Sequence, residues 1–378
     1  ALSMIMCVSH MISAALALAA GLSLPVVGRA RAFRTPSRPI SISNSGAAQR
    51  VLVTDGLAPA ALDALAAGGA DVTSRSLTED ELCAGALAAY DAVIIRSATT
   101  LRADALSAGA AGRLRVVGRA GVGVDNIDVA GAHASGVTVV NTPSASTASV
   151  VEMTLALLFA AARNLPAADR GLRSGEWLKP PARGSRLGSE LAGKNLGLLG
   201  FGRIARGVAA AAAALGMRVF AYSPHAASET ASPLGVTLLP SAEELFCTCS
   251  HVSLHCALTP QTRLLVGGEM LERMPAVGPD GAACGSHLIN VARGGIADEA
   301  AVAAALHSGT LTSYASDVFD QEPLPADHPL LGCPGFIGTP HIGGATREAQ
   351  DRVGLQIAAA VLAVLDGRVP EDGVVGVA

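Results

Sequence analysis

The chain has 378 residues, half of them hydrophobic and only 15% charged, with a formal net charge of −4 at pH 7. That length suggests two domains, or two plus a tail, and aromatics at 3% make their cores aliphatic and alanine-rich. The body carries no basic run, so nothing points to a nucleic acid, and seven scattered cysteines argue against a disulfide framework and for a reducing compartment.

The first fifty residues differ in kind. No Asp or Glu precedes Asp55. Residues 11–27 are apolar but broken by Ser, Gly and Pro, and fall short of the roughly 20 residues a membrane span needs. Residues 29–38 are basic and rich in hydroxyls and proline. An acid-poor, Ser/Arg-rich leader reads as a targeting presequence, placed here at residues 1–48 and set apart from fold reasoning. Its order of parts resembles the two-part presequences of algal plastids bounded by membranes of secondary origin. A plain plastid or a mitochondrial transit peptide is the alternative, and no membrane segment is expected in the mature form.

From residue 49 onward, short apolar runs alternate with helical stretches. Strand candidates are residues 51–53, 92–95, 114–117 and 137–140, then 196–199, 218–222, 252–255, 288–291 and 313–317. Apolar strands separated by helices predict parallel sheets covered on both faces. A long apolar helix over 149–163 joins two such α/β units. Cys247, Cys249, His251, His255 and Cys256 lie close in sequence, but Cys-x-Cys lacks the spacing of structural zinc sites, so no metal site is assigned.

The strand at 196–199 runs into Gly200-Phe201-Gly202-Arg203-Ile204-Ala205 and then an alanine-rich helix. Strand, glycine turn and helix predict a dinucleotide site. Gly200 permits the turn, Gly202 lets backbone approach a pyrophosphate, and Ala205 lets the helix pack on the strand. The free N–H groups of the helix start favour the anion. The next strand ends at Ser223, where an acidic residue usually holds the adenine ribose. Serine does not repel a 2′-phosphate, so the cofactor is NAD with NADP left open. His225 follows it, and no arginine stands beside it.

Three charged groups fall where strands end: Arg293, Glu322 and His341. Ligands bind off such ends in open α/β sheets. A guanidinium grips a carboxylate by two parallel bonds, a histidine takes or returns a hydroxyl proton, and a carboxylate orients its ring. Asp317, also at a strand end, is placed to accept a bond from a nicotinamide amide.

These residues, in this order, resemble the D-isomer-specific 2-hydroxyacid dehydrogenase family, and within it the phosphoglycerate dehydrogenases, over roughly residues 51–369. Arg119-Ala120-Gly121-Val122-Gly123-Val124-Asp125-Asn126 looks like the family's substrate loop, with the Val122 and Gly123 amides meeting the carboxylate. Asn141-Thr142-Pro143, Ser149-Val150-Val151-Glu152, Trp177 and Glu190-Leu191-Ala192-Gly193-Lys194 look like the family's link into the glycine motif. The resemblance implies two Rossmann-like doubly wound α/β domains with parallel sheets and the active site in the cleft between them. Residues 49–150 would begin the substrate domain, 151–337 form the NAD-binding domain, and 338–378 return to the first.

The resemblance assigns substrate binding to Arg293, acid/base work to His341 and ring support to Glu322. Gly200, Phe201, Gly202, Arg203, Ile204, Ser223 and Asp317 would hold the cofactor, and Arg96, Ser97 and Arg119 a substrate phosphate. A bland reading of Arg119 pairs it with Asp125 or Asp128 instead. The implied activity is NAD-dependent oxidation of 3-phosphoglycerate to 3-phosphohydroxypyruvate in serine synthesis, by a homodimer or homotetramer. A hydroxypyruvate or glyoxylate reductase, or a non-catalytic NADH-sensing corepressor-like protein, are the alternatives. Ser146 stands where many members have asparagine, and residues 275–287 read as an extended surface loop. Many members carry regulatory domains beyond the point where this sequence ends, and a short form without one is expected.

Overall fold

The computed structural model describes residues 48–177, 179 and 187–376. The presequence expected at 1–48 lies, but for its last residue, outside them.

Strands β1 (Gln49–Val53), β2 (Ala70–Ser74), β3 (Ala92–Ile95), β4 (Val116–Arg119) and β5 (Thr138–Asn141) form a parallel sheet of order β2-β1-β3-β4-β5. Helices α1 (Pro59–Ala67), α2 (Glu79–Cys83), α3 (Ala103–Ala111) and α4 (Val129–Ala134) connect them. Next, α5 (Thr147–Arg163) and α6 (Leu165–Arg173) carry the chain onward. Among the described residues no single helix is long and apolar enough to cross a membrane; α5 and α6 meet at a 66° bend.

A second parallel sheet follows. It is built from β6 (Asn195–Leu199), β7 (Arg218–Tyr222), β8 (Thr237–Leu238), β9 (His251–Leu254), β10 (His287–Asn290), β11 (Ser313–Ser316) and β12 (Phe336–Gly338), in the order β12-β11-β10-β9-β6-β7-β8. Between these strands run α7 (Arg203–Ala214), α8 (Ser228–Ala231), α9 (Ala242–Thr248), α10 (Gly268–Glu272) and α11 (Glu299–Ser308). Finally α12 (Arg347–Leu365) returns to the first sheet, packing on α1 and β4.

Both sheets bury both faces, as parallel sheets between helices must. Alternate strand residues go to opposite sides. Val51, Val53, Ile94 and Val116 join Ile357 and Val361 of α12, while Leu52, Val93, Ile95 and Val117 join Leu106 of α3. In the second sheet Leu196, Leu198, Val219 and Ile289 pack on α5 and α7, while Val252, Leu254, Leu288 and Tyr314 pack on α9 and α11. Gly118 in β4 lets α12 lie close: a Cβ there would sit 2.7 Å from Val361 Cγ2.

Two expectations need correction. The strand expected at 114–117 is found at Val116–Arg119, because the Leu114 amide instead closes the turn after α3 on the Gly109 carbonyl. Strands β2, β8 and β12 were not expected; β2 and β8 are sheet edges, β12 is the other edge, and all three are half-exposed and lack an apolar run. The segment 275–286 is the surface loop expected, without helix or strand. It doubles back through an antiparallel bridge between Val277 and Ala283, Asp280 is pinned at 2.6 Å by the buried Lys194 ammonium, and the residue after it opens β10.

Candidate active site

Polar side chains at the ends of β4, β10 and β11 converge, and each is held by a second polar group. At the end of β10, Asn290 closes the turn that carries Arg293: Nδ2 donates to the Arg293 carbonyl at 2.9 Å and Oδ1 accepts the Ala292 amide at 3.0 Å. Arg293 Nε donates to Asp125 Oδ2 at 2.8 Å, across from the loop after β4, and Nη1 donates to the Ala292 carbonyl at 2.7 Å. Its Nη2 lies over Gly123, where a Cβ would overlap it. Glycine at 123 is therefore the condition for the guanidinium to lie on the loop backbone.

After β11, Glu322 accepts the Phe319 amide at 3.0 Å and His341 Nδ1 at 2.7 Å. Half-burial pushes the Glu322 carboxyl up. The bonds from His341 and the Phe319 amide, with the nearby positive charges of His341 and Arg293, outweigh it and leave the group below its ordinary range. An ionised carboxylate only accepts, so Nδ1 is the donor and Nε2 is the ring nitrogen left for chemistry. Gly294 has no room for a Cβ, which would overlap the Phe319 carbonyl, so the Arg293 and Glu322 loops are in direct backbone contact.

His341 has φ = +55°, left-handed backbone for a residue with a side chain, a conformation costing about 1–3 kcal/mol. Buried Asp317 holds it there. Its Oδ1 accepts the Thr339 hydroxyl at 2.6 Å and the Ile342 amide at 2.8 Å, and its Oδ2 accepts the Gly343 amide at 2.7 Å. Asp317, expected as a nicotinamide acceptor, thus spends three bonds on the loop that aims the histidine.

Arg96 and Arg119 end neighbouring strands, β3 and β4, with Ser97 and Val122 exposed beside them. The Arg96 backbone is fixed from both sides: its amide donates to Asp55 Oδ2 at 2.7 Å and its carbonyl accepts Asn126 Nδ2 at 2.7 Å. Arg119 lies against Gly121, where a Cβ would overlap its Nη1. Its buried Nε has no hydrogen-bond partner among the described residues. Burial, then the positive field of Arg293 and more weakly of Arg96, push Arg119 down to about 10, with Asp125 and Asp55 opposing. Neither acid suggested as its ion-pair partner fills that place: Asp125 bonds Arg293, and Asp128 caps α4 through the Gly131 amide at 2.8 Å. Beside Arg96 an open cleft of about 580 Å³ reaches Thr346 and Arg347 at the start of α12.

On the facing sheet, Gly200 has φ = +97°, and a Cβ would sit 2.7 Å from the Cys256 amide nitrogen. Glycine is required there twice over. Gly202 caps α7 without a side-chain bond, and a Cβ on it would meet nothing within 4 Å. The space before Arg203, Ile204 and the free amides of the first turn is thus open, as a pyrophosphate needs. Phe201 is buried and Ser223 follows β7. Asp125, Asn290, Asp55 and the loop-holding role of Asp317 were not foreseen. Asn290, Asp55 and Asp317 share a signal, a carboxylate or amide at or just past the end of a buried strand; Asp125 lies six residues beyond β4 and has none.

Two parallel α/β sheets, an uncapped glycine turn and an Arg, Glu and His set off the strand ends place this chain among two-domain α/β proteins with a dinucleotide-type glycine turn. Residues 155–343 match the family model for the D-isomer specific 2-hydroxyacid dehydrogenase, NAD binding domain. The D-3-phosphoglycerate dehydrogenase of Methanocaldococcus jannaschii is 40% identical over 323 residues, covering 85% of this chain and 59% of that protein. The chloroplastic D-3-phosphoglycerate dehydrogenase 2 of Arabidopsis thaliana is 39% identical over 325 residues, covering 86% and 50%. The chain therefore spans between half and three fifths of the length of these relatives. Among solved structures, the TT0316 protein of Thermus thermophilus superposes with a TM-score of 0.77 at 36% identity, covering 86% of this chain and all of that one. The chain belongs to the D-isomer-specific 2-hydroxyacid dehydrogenase family, and residues 155–343 are its NAD-binding domain.

Proposed function

We propose that this chain is a D-3-phosphoglycerate dehydrogenase, oxidising 3-phosphoglycerate to 3-phosphohydroxypyruvate in serine synthesis. The observation that carries this reading is Arg119 at the end of β4, next to the strand that leads into Arg96, its buried Nε without a hydrogen-bond partner among the described residues and Asp125 and Asp128 bonded elsewhere. Three guanidiniums against one bonded acid suit a substrate with both a carboxylate and a phosphate. The names of the relatives at about 40% identity support it.

In this reading Arg293, oriented by Asp125, grips the carboxylate beside the Val122 and Gly123 amides, and Arg96, Ser97 and Arg119 hold the phosphate. NAD supplies the hydride acceptor at its nicotinamide. As the C–H bond gives up its hydride, His341 Nε2 takes the hydroxyl proton, and Glu322, bonded to Nδ1, stabilises the imidazolium. Reduction runs the same proton back.

The test compares 3-phosphohydroxypyruvate with hydroxypyruvate and glyoxylate as substrates for NADH oxidation. The expected result is a strong preference for the phosphorylated acid, with Arg96→Ala and Arg119→Ala each raising its KM at least about tenfold and barely altering glyoxylate. Equal loss on both acids moves the protein to the reductase reading. Tight NADH binding without turnover moves it to the corepressor-like one.

The acid-poor leader, together with chloroplastic relatives, supports a plastid address; a fluorescent protein fused behind residues 1–48 and found in mitochondria instead would reject it. A homodimer or homotetramer completes the proposal.

A further inference from the structure

We propose that the dinucleotide site of this chain accepts NADPH as well as NADH, and that Ser223 is what permits it. The inference rests on the nucleotide-binding domain, and not on which acid is reduced.

The structure sets Ser223 beside the glycine turn. β7 pairs with β6 so that Tyr222 lies against Leu199, and the Gly200 amide donates to the Tyr222 carbonyl at 2.8 Å. Half-buried Ser223 is the next residue. Its carbonyl accepts the Ala226 amide at 3.1 Å, in a turn that leaves Pro224 and His225 exposed. This is the position, about 20 residues past the glycines, where a carboxylate would hold the ribose.

A carboxylate there does two things: it accepts bonds from the ribose hydroxyls, and it repels a phosphate on the 2′ oxygen. A serine hydroxyl can do only the first. The repulsive element that discriminates against the phosphorylated cofactor is missing. Nothing nearby in the chain replaces it. Residues 200–228 contain not one Asp or Glu, while Arg203 and His225 flank the edge, and the first acid beyond them is Glu229 on α8. Arg203 opens α7 on the same edge of the sheet, exposed, and makes no ion pair among the described residues. A 2′-phosphate arriving at this edge meets a positive field with its serine and imidazole neighbours free to bond it.

The experiment titrates the full chain with NADH and with NADPH, without any acid substrate, following the fluorescence of the reduced nicotinamide. The expected result is two Kd values within about tenfold of each other, with NADPH binding weakened more steeply by salt. Ser223→Asp should weaken NADPH at least about tenfold and leave NADH as tight or tighter. A wild-type preference for NADH beyond about tenfold overturns the proposal, as does a Ser223→Asp variant whose preference matches the wild type. The wild-type ratio decides alone should the variant bind neither. Because no acid is turned over, failure of the phosphoglycerate reading leaves this result standing.

Discussion

At the residue scale, the site is a set of reactive groups whose aim is set by acids that do not react. Arg293 is aimed by Asp125, the His341 ring by Glu322, and the His341 backbone by Asp317. Asp317→Asn tests the last of these. One amide end would face the Ile342, Gly343 or Thr339 donors as a second donor, and a buried mismatch of this kind costs about 1–3 kcal/mol. The expected outcome is a kcat lowered at least about tenfold, a lower Tm and an unchanged Kd for NADH. A Kd that rises while kcat at saturating cofactor holds would instead make Asp317 a nicotinamide contact. Arg293 stood out because it falls directly after an apolar run, whereas Glu322, behind Asp320 and Gln321, and His341, behind the unexpected β12, stood out by their order in the family's pattern. Asp125 was not, because its partner is 168 residues away and belongs to the other sheet. Spacing along a chain carries no information about a bond closed by the fold.

At the scale of elements, central strands were legible and edge strands were not. Strands β3, β9, β10 and β11 are buried at every residue, and each carries or adjoins an apolar stretch that marks it in the sequence. β2, β8 and β12 satisfy only one side and look like loops. At the other end of the large sheet lies a feature that no motif signals: His251 of β9 stacks on His287 of β10, ring centroids 4.6 Å apart. Burial, then the positive fields of His287 and Lys194, hold His251 well below its ordinary range. It stays neutral in the fold, whereas the unfolded chain takes up a proton below about pH 6.5. Its contribution to stability is therefore complete above that pH and is lost as the pH falls toward the folded value. Between pH 7.5 and 5.0 the wild type should lose about 2 kcal/mol more unfolding free energy than His251→Phe. Urea midpoints at the two pH values check this, and parallel losses in both proteins would show that His251 is not the group responsible.

At the scale of the whole molecule, the chain crosses from one sheet to the other along α5 and α6 and comes back before α12, so the helices of the crossing are central to the architecture and yet poorly covered. Phe159 of α5 is 40% exposed, and Leu165 and Leu172 of α6 are 53% and 60% exposed; seven residues apart, the two leucines share one face. Trp177, the single tryptophan, follows at 75%. A soluble monomer rarely leaves several large apolar side chains of neighbouring helices to water, and a second copy of the same surface would bury them by two-fold symmetry without any further partner. Such an interface must bury upwards of about 1,000 Å² to persist, with the aromatic and leucine side chains at its centre. Light scattering should give a particle of two or four times 37.7 kDa for the unprocessed chain, and Leu165→Asp with Leu172→Asp should reduce it to a monomer. Both substitutions sit on the solvent face of α6, so the variant should keep its NADH affinity. A wild type that scatters as a monomer, or a double variant that stays assembled, would place the contact elsewhere. The assembly and the cleft share α5, whose Ser149 hydroxyl lies 2.8 Å from the Thr346 hydroxyl that caps α12. Pairing at α5 and α6 would therefore brace the connection between the two sheets.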